Sequence, residues 1–184
     1  MRKSLLVFVV LAVAGPVLAG TLAGVTMPDS ITVGDRALSL NGMGVRSKMF
    51  VKVYVGGLYL DKKTGDAEVV VGSDSPKRLV LHFVRDVDRG QITDAFNQSL
   101  RDNARSYAAG LEKEVARFLE VLEPMKSGEQ FAMTYLPGTG TTITVRASDK
   151  LTVPGHQFSQ VVFSMFLGSK PPSADLKKGL LGGK

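Results

Sequence analysis

LSLNGMGVRSKMFVKVYVGGLYL, residues 38–60, is the longest run of strand character in this chain. Met49, Val51, Val53 and Val55 alternate with Phe50, Lys52 and Tyr54. Such period-2 alternation, rich in β-branched and aromatic residues, predicts a strand with two usable faces. Asn41-Gly42-Met43-Gly44 just before it reads as a turn, because glycine takes positive φ without a Cβ clash. Arg46 then follows directly, a permanent cation beside an otherwise apolar hairpin.

On the N-terminal side, Gly24-Val25-Thr26-Met27 and Ile31-Thr32-Val33 flank Pro28-Asp29-Ser30 and predict short edge strands or a strand with a turn. On the C-terminal side, Asp66–Gly72 reads as a short helix or loop and Ser73–Pro76 as a turn. Leu79–Val84 reads as a strand, apolar but for His82. Asp88 is an N-cap with Gln91 three residues on. Ile92, Ala95, Phe96, Leu100, Ala104 and Tyr107 recur at helical spacing, and so do Leu111, Val115, Phe118, Leu119 and Leu122 until Pro124 stops them. Phe131, Met133 and Tyr135 alternate up to the Pro137-Gly138-Thr139-Gly140 turn, and Thr141–Arg146 completes a hairpin. Phe158, Val161, Val162, Met165 and Phe166 mark a third helix with Gly168 as its C′ residue. Ser173 caps a last short helix through Leu176 and Leu180. Strands first, then helices, a hairpin and helices again make an α+β domain: an antiparallel sheet covered on one face by a layer of helices.

The chain has 184 residues, enough for a single domain. Its N-terminus reads as a secretory signal: basic Arg2 and Lys3, an apolar core from Leu5 to Val13, and Val17-Leu18-Ala19 before a cleavage point. That assigns residues 1–19 to the signal and 20–184 to the domain. The apolar run is shorter than the roughly 20 residues a bilayer requires, so no stable membrane span is expected after cleavage. The expected location is periplasmic or secreted. The absence of cysteine excludes disulfides, thiolate metal sites and a cysteine nucleophile. The formal charge is +6, and removing Arg2 and Lys3 leaves +4. This excess is scattered, without the aromatic interleaving of nucleic-acid grooves, so no nucleic-acid partner is expected. His82 and His156 have no metal-ligand spacing, and no phosphate loop or nucleophile elbow stands in strand–turn–helix context. Neither metal nor cofactor is expected.

Arg46, Lys48-Met49-Phe50-Val51-Lys52-Val53-Tyr54 and Gly57-Leu58-Tyr59-Leu60 together resemble the opening hairpin of the chalcone isomerase fold. The tail, Leu167-Gly168-Ser169-Lys170-Pro171-Pro172 to Leu180-Leu181-Gly182, is similar to that of bacterial exported chalcone isomerase-like proteins. The resemblance covers roughly Gly20–Lys184 and implies an open-faced sandwich of sheet and helices.

The resemblance also implies a site. Arg46 falls where the enzymes hold a phenolate by paired N–H bonds, and Tyr54 where they place a threonine that polarises a ketone. The enzymes' central helix carries a tyrosine seven residues before an asparagine. Here Phe96 precedes Asn103 by that interval, and the alternative register puts Ile92 and Ser99 in those places. The hydroxyl is absent either way. Met165 and Phe166 take the pocket-helix positions, both apolar. Arg46 and Tyr54 are therefore the candidate catalytic pair. Arg46, Tyr54, Ile92, Phe96, Asn103, Met165 and Phe166 are the candidate ligand-binding set. The favoured function is binding of a small apolar ligand with an acidic head, carboxylate or phenolate, with Arg46 at that head. The alternatives are a chalcone isomerase-type intramolecular lyase and a non-catalytic structural or partner protein.

Overall fold

Two-residue hairpin turns make half of the strand connections in the main sheet. The structure is a computed structural model describing residues 19–183, so the segment expected to be a signal lies, but for Ala19, outside the described residues. Strands β1 (Ala19–Leu22) and β2 (Val25–Pro28) form a separate hairpin. Strands β3 (Ser30–Val33), β4 (Arg36–Lys48), β5 (Val51–Leu60), β6 (Lys77–Phe83), β7 (Gln130–Leu136), β8 (Gly140–Val145) and β9 (Ser148–Val153) form an antiparallel sheet in sequence order. The turns β1–β2, β4–β5 and β8–β9 have positive φ at both central residues: Ala23 51° and Gly24 81°, Met49 48° and Phe50 65°, Arg146 50° and Ala147 64°. That is the type I′ pattern, whose twist matches the flanking strands.

The turn expected at Asn41–Gly44 does not exist. β4 runs unbroken from Arg36 to Lys48, and the chain reverses at Met49-Phe50, which the alternation had placed inside a strand. Met49 and Phe50 carry none of the glycine or asparagine signal that such a turn usually shows, which is why the pattern misled. Gly42 and Gly44 serve a packing purpose instead. A Cβ on Gly42 would stand 2.1 Å from the Gly179 carbonyl oxygen, and one on Gly44 2.3 Å from that of Leu176. These glycines let a helix lie directly on the strand.

That helix is α5 (Ala174–Leu180), capped by Ser173 Oγ, which accepts from Leu176 N at 3.2 Å. The other helices are α1 (Ala67–Gly72), α2 (Arg89–Ser99), α3 (Glu112–Glu120) and α4 (Gln157–Leu167). Asp66 caps α1, its carboxylate accepting from the Glu68 and Val69 N–H groups, and Asp88 caps α2, accepting from the Gln91 N–H. The helix expected to run from α2 to Tyr107 changes at Leu100–Ala104 into a π turn and then into turns. β9 extends the expected hairpin by one further strand; only Leu151 and Val153 signal it, because its other positions face solvent.

Gly168 is not the left-handed C′ residue expected. Its φ of −67° and ψ of −172° are extended. Glycine is required there because a Cβ would lie 2.4 Å from Asn103 Oδ1.

The helices cover one face of the sheet over the main core, with α4 buried along nearly its whole length. The opposite face has a smaller core beneath the β1–β2 hairpin, made by Val25, Met27, Leu38, Leu40, Val55, Tyr59, Val80 and Ala132. Tyr59 belongs to it, and its hydroxyl donates to the Pro28 carbonyl at 3.0 Å. A bulge in β4 between Leu40 and Gly42 reverses the alternation. Leu38 and Leu40 therefore face the small core, while Gly42, Gly44 and Arg46 turn toward the helices.

Candidate functional site

Arg46 reaches the helix-covered side because of that bulge, two residues from the β4–β5 turn. It pairs directly with Tyr54 across the two strands, and its guanidinium carbon lies 5.8 Å from the centre of the Tyr54 ring. Planar guanidinium on an aromatic face is a favourable cation–π arrangement. Arg46 is half-buried. The ion pairs among the described residues engage Arg36, Arg146 and Lys150 and leave Arg46 without a carboxylate. Tyr54 is buried at 7% exposure and its ring stacks tilted on Phe83 at 5.5 Å. Burial pushes its hydroxyl well above the ordinary tyrosine range, and the Arg46 charge opposes this only in part. Tyr54 is thus a neutral phenol at any physiological pH.

Behind this pair the interior is apolar and filled. Tyr54, Ile92, Phe96, Met165 and Phe166 all belong to the main core. The Phe96 ring packs on Phe118 at 5.3 Å, on Phe131 at 5.6 Å and on Phe166 at 6.0 Å. Met165 is fully buried, and its carbonyl accepts the Ser99 hydroxyl at 2.7 Å. Asn103 stands apart from the core residues. Its side chain grips the Lys170 backbone at both ends, Nδ2 donating to the carbonyl at 2.7 Å and Oδ1 accepting from the N–H at 2.8 Å. Its amide is therefore engaged in joining the π turn to the segment after α4.

The structure so brings Arg46 to Tyr54 and Phe96 to Phe166, and sets Asn103 at the outer end of α4. Two surface depressions lie elsewhere. One of about 300 Å³ is lined by Leu60, Lys62, Thr64, Val70, Ser75 and Lys77. The other, of about 170 Å³, lies by Arg36, Pro76 and Leu136. Among the described residues no group of His, Asp and Glu converges as metal ligands would.

One polar cluster escaped the sequence reading. Lys77 is 1% exposed. Its ammonium donates to the carbonyls of Val70 at 2.7 Å and Ser73 at 2.8 Å, at the C-terminal end of α1. It also lies 5.4 Å from the Tyr135 ring centre and 5.3 Å from that of Phe163. Tyr135 hydrogen-bonds Asp74, and the His156 ring nitrogen Nε2 pairs with the Ser73 carbonyl at 2.9 Å. The signal was present: Lys77, Leu79, Leu81 and Phe83 share one face of a period-2 strand, so the lysine had to point inward.

An antiparallel sheet in sequence order, roofed on one face by helices, with an arginine at the sheet's end, defines an open-faced α+β sandwich. The chalcone isomerase-like family model matches residues 19–182, and the chain belongs to that family. Among solved structures, the fold matches the Arabidopsis thaliana fatty-acid binding protein AtFAP1 with a TM-score of 0.68 at 14% identity, covering 89% of this chain and 96% of that one. No curated protein sequence matches this chain.

Proposed function

We propose that this chain is a non-catalytic binder of a small apolar carboxylate or phenolate of the fatty-acid class, exported by its N-terminal segment to the periplasm or beyond. The observation that carries this reading is the Arg46 guanidinium. It faces the helix layer, rests on the Tyr54 ring and has no anionic partner among the described residues. A carboxylate received there would gain paired, charge-assisted N–H bonds, and the hydrocarbon behind it would meet Ile92, Phe96, Met165 and Phe166. The tail would lodge by parting the Phe96 and Phe166 rings, which now touch. That a fatty-acid binding protein shares the fold makes this ligand class the first to try.

Ring-closing catalysis fits less well. Phe96 has no hydroxyl, neither Met165 nor Phe166 supplies one, and losing one well-aimed donor typically costs about 10²–10³ in rate. A structural or partner role is the second reading, favoured by the filled interior.

Native mass spectrometry of the purified protein is the deciding measurement, followed by displacement of a fluorescent fatty acid. We expect a bound apolar acid, and about ten- to hundredfold weaker binding in Arg46→Ala, the loss expected for a hydrogen bond to a charged group. A ligand-free protein that takes up no fatty acid would leave the structural role. Arg46-dependent bleaching of a chalcone's visible absorbance would instead identify the isomerase.

A further inference from the structure

The β4–β5 turn ends in two large apolar side chains that no other described residue covers. Met49 is 83% exposed and Phe50 104%, with Val51 beside them at 43%. Both turn residues hold positive φ, 48° and 65°, a conformation that bulky residues rarely adopt and that glycine or asparagine would take without strain. Lys48 and Lys52, both exposed, bracket the tip on either side. Neither lysine enters an ion pair among the described residues, and no acidic residue lies between Arg46 and Tyr59.

We propose that this hairpin tip docks on an anionic lipid surface, with Met49 and Phe50 entering the headgroup boundary and Lys48 and Lys52 resting on the lipid charges. The charge pattern selects this occupant. An apolar tip flanked by cations matches the boundary of an anionic bilayer, where aromatic and aliphatic side chains partition while ammonium groups stay at the headgroups. A second copy of the chain would bring the same cations against one another. The tip protrudes at the end of the sheet where Arg46 lies, but its docking does not depend on Arg46 binding a ligand.

The chain contains no tryptophan, so Phe50→Trp places a single tryptophan, excited selectively, at the tip. Its emission reports the surroundings of the tip itself. Vesicles of equal phosphatidylglycerol and phosphatidylcholine should shift its emission to the blue, and quenchers attached to the lipid tails should dim it. Pure phosphatidylcholine vesicles should leave it unchanged. The Lys48→Glu/Lys52→Glu pair should weaken the partition by at least about 25-fold, since each lysine near an anionic surface contributes about fivefold, and high salt should weaken it too. Emission that stays red with anionic vesicles overturns the proposal. So does a blue shift that tracks protein concentration without vesicles, which would show a second copy covering the tip.

Discussion

Lys77 illustrates how one buried charge is tolerated. Its ammonium lies by the Tyr135 and Phe163 rings and meets the carbonyls that the end of α1 leaves without helical partners. The negative end of the helix dipole points the same way. Lys77→Met keeps the apolar stem and removes the donor. Ser73 retains His156 as a partner, whereas the Val70 carbonyl is left bare. We expect a loss of about 1–3 kcal/mol, the cost of an unsatisfied buried acceptor. It should appear as a lower urea midpoint at unchanged slope, with faster amide exchange in α1. A midpoint equal to that of the parent protein would mean that the ammonium does not support the helix.

Between elements, the contact of α5 with β4 depends on three missing side chains. Gly42 and Gly44 on the strand and Gly179 on the helix stand where any Cβ would strike backbone: a methyl on Gly179 would meet the Met43 carbonyl oxygen at 2.2 Å. Backbone cannot rotate away as a side chain tip can, so Gly44→Ala must push the helix off the strand. The expected cost is about 1–3 kcal/mol, as for overpacked cores. Gly179→Ala should cost a similar amount, and the double variant less than the sum, because one displacement relieves both clashes. Urea denaturation of the four proteins tests this, and strict additivity would contradict the shared displacement. Asn103 and Gly168 repeat the device at the end of α4, where the missing Cβ admits an amide that ties the Lys170 backbone.

For the molecule as a whole, buried titratable groups set the alkaline stability. Burial lowers the Lys77 ammonium from 10.5 to about 8, against the pull of Asp74 and Asp61. Between those values the unfolded chain holds a proton that the folded one has released, so stability rises with pH there. Tyr59 and Tyr135 are pushed the other way, from 10.0 to about 12, chiefly by burial. Above pH 10 the unfolded chain loses protons that the folded one keeps, so stability falls, and Tyr54 shifts in the same sense. Urea midpoints across this range should climb above pH 8 and then drop beyond pH 10, and Lys77→Met should lose the climb while keeping the drop. A midpoint that falls steadily from neutrality would refute the lysine's part in it.

Much of this was legible along the chain. Local patterns were enough for the caps at Asp88 and Ser173, the apolar spacing of α2, α3 and α4, the alternation of β5, β7 and β8, and the α+β class, because each depends on residues a few positions apart. The candidate site was named from resemblance, and its pairing of Arg46 with Tyr54 follows only once the chain reverses at Met49-Phe50. What the pattern misplaced required neighbours distant in sequence. Asn41–Gly44 looked like a turn because glycine frees the backbone, yet these glycines are there because α5, some 130 residues later, needs the space. Met49-Phe50 looked like strand because apolar side chains favour strands, yet the β4–β5 register forces the reversal onto them. Sequence alone determined the order of most strands and helices, and hence the class, since hydrophobic periodicity is a local property. Tertiary packing alone decided where the long hairpin turns, which face Arg46 joins and that Lys77 would be a buried helix cap, since register, bulges and close backbone approach exist only between elements.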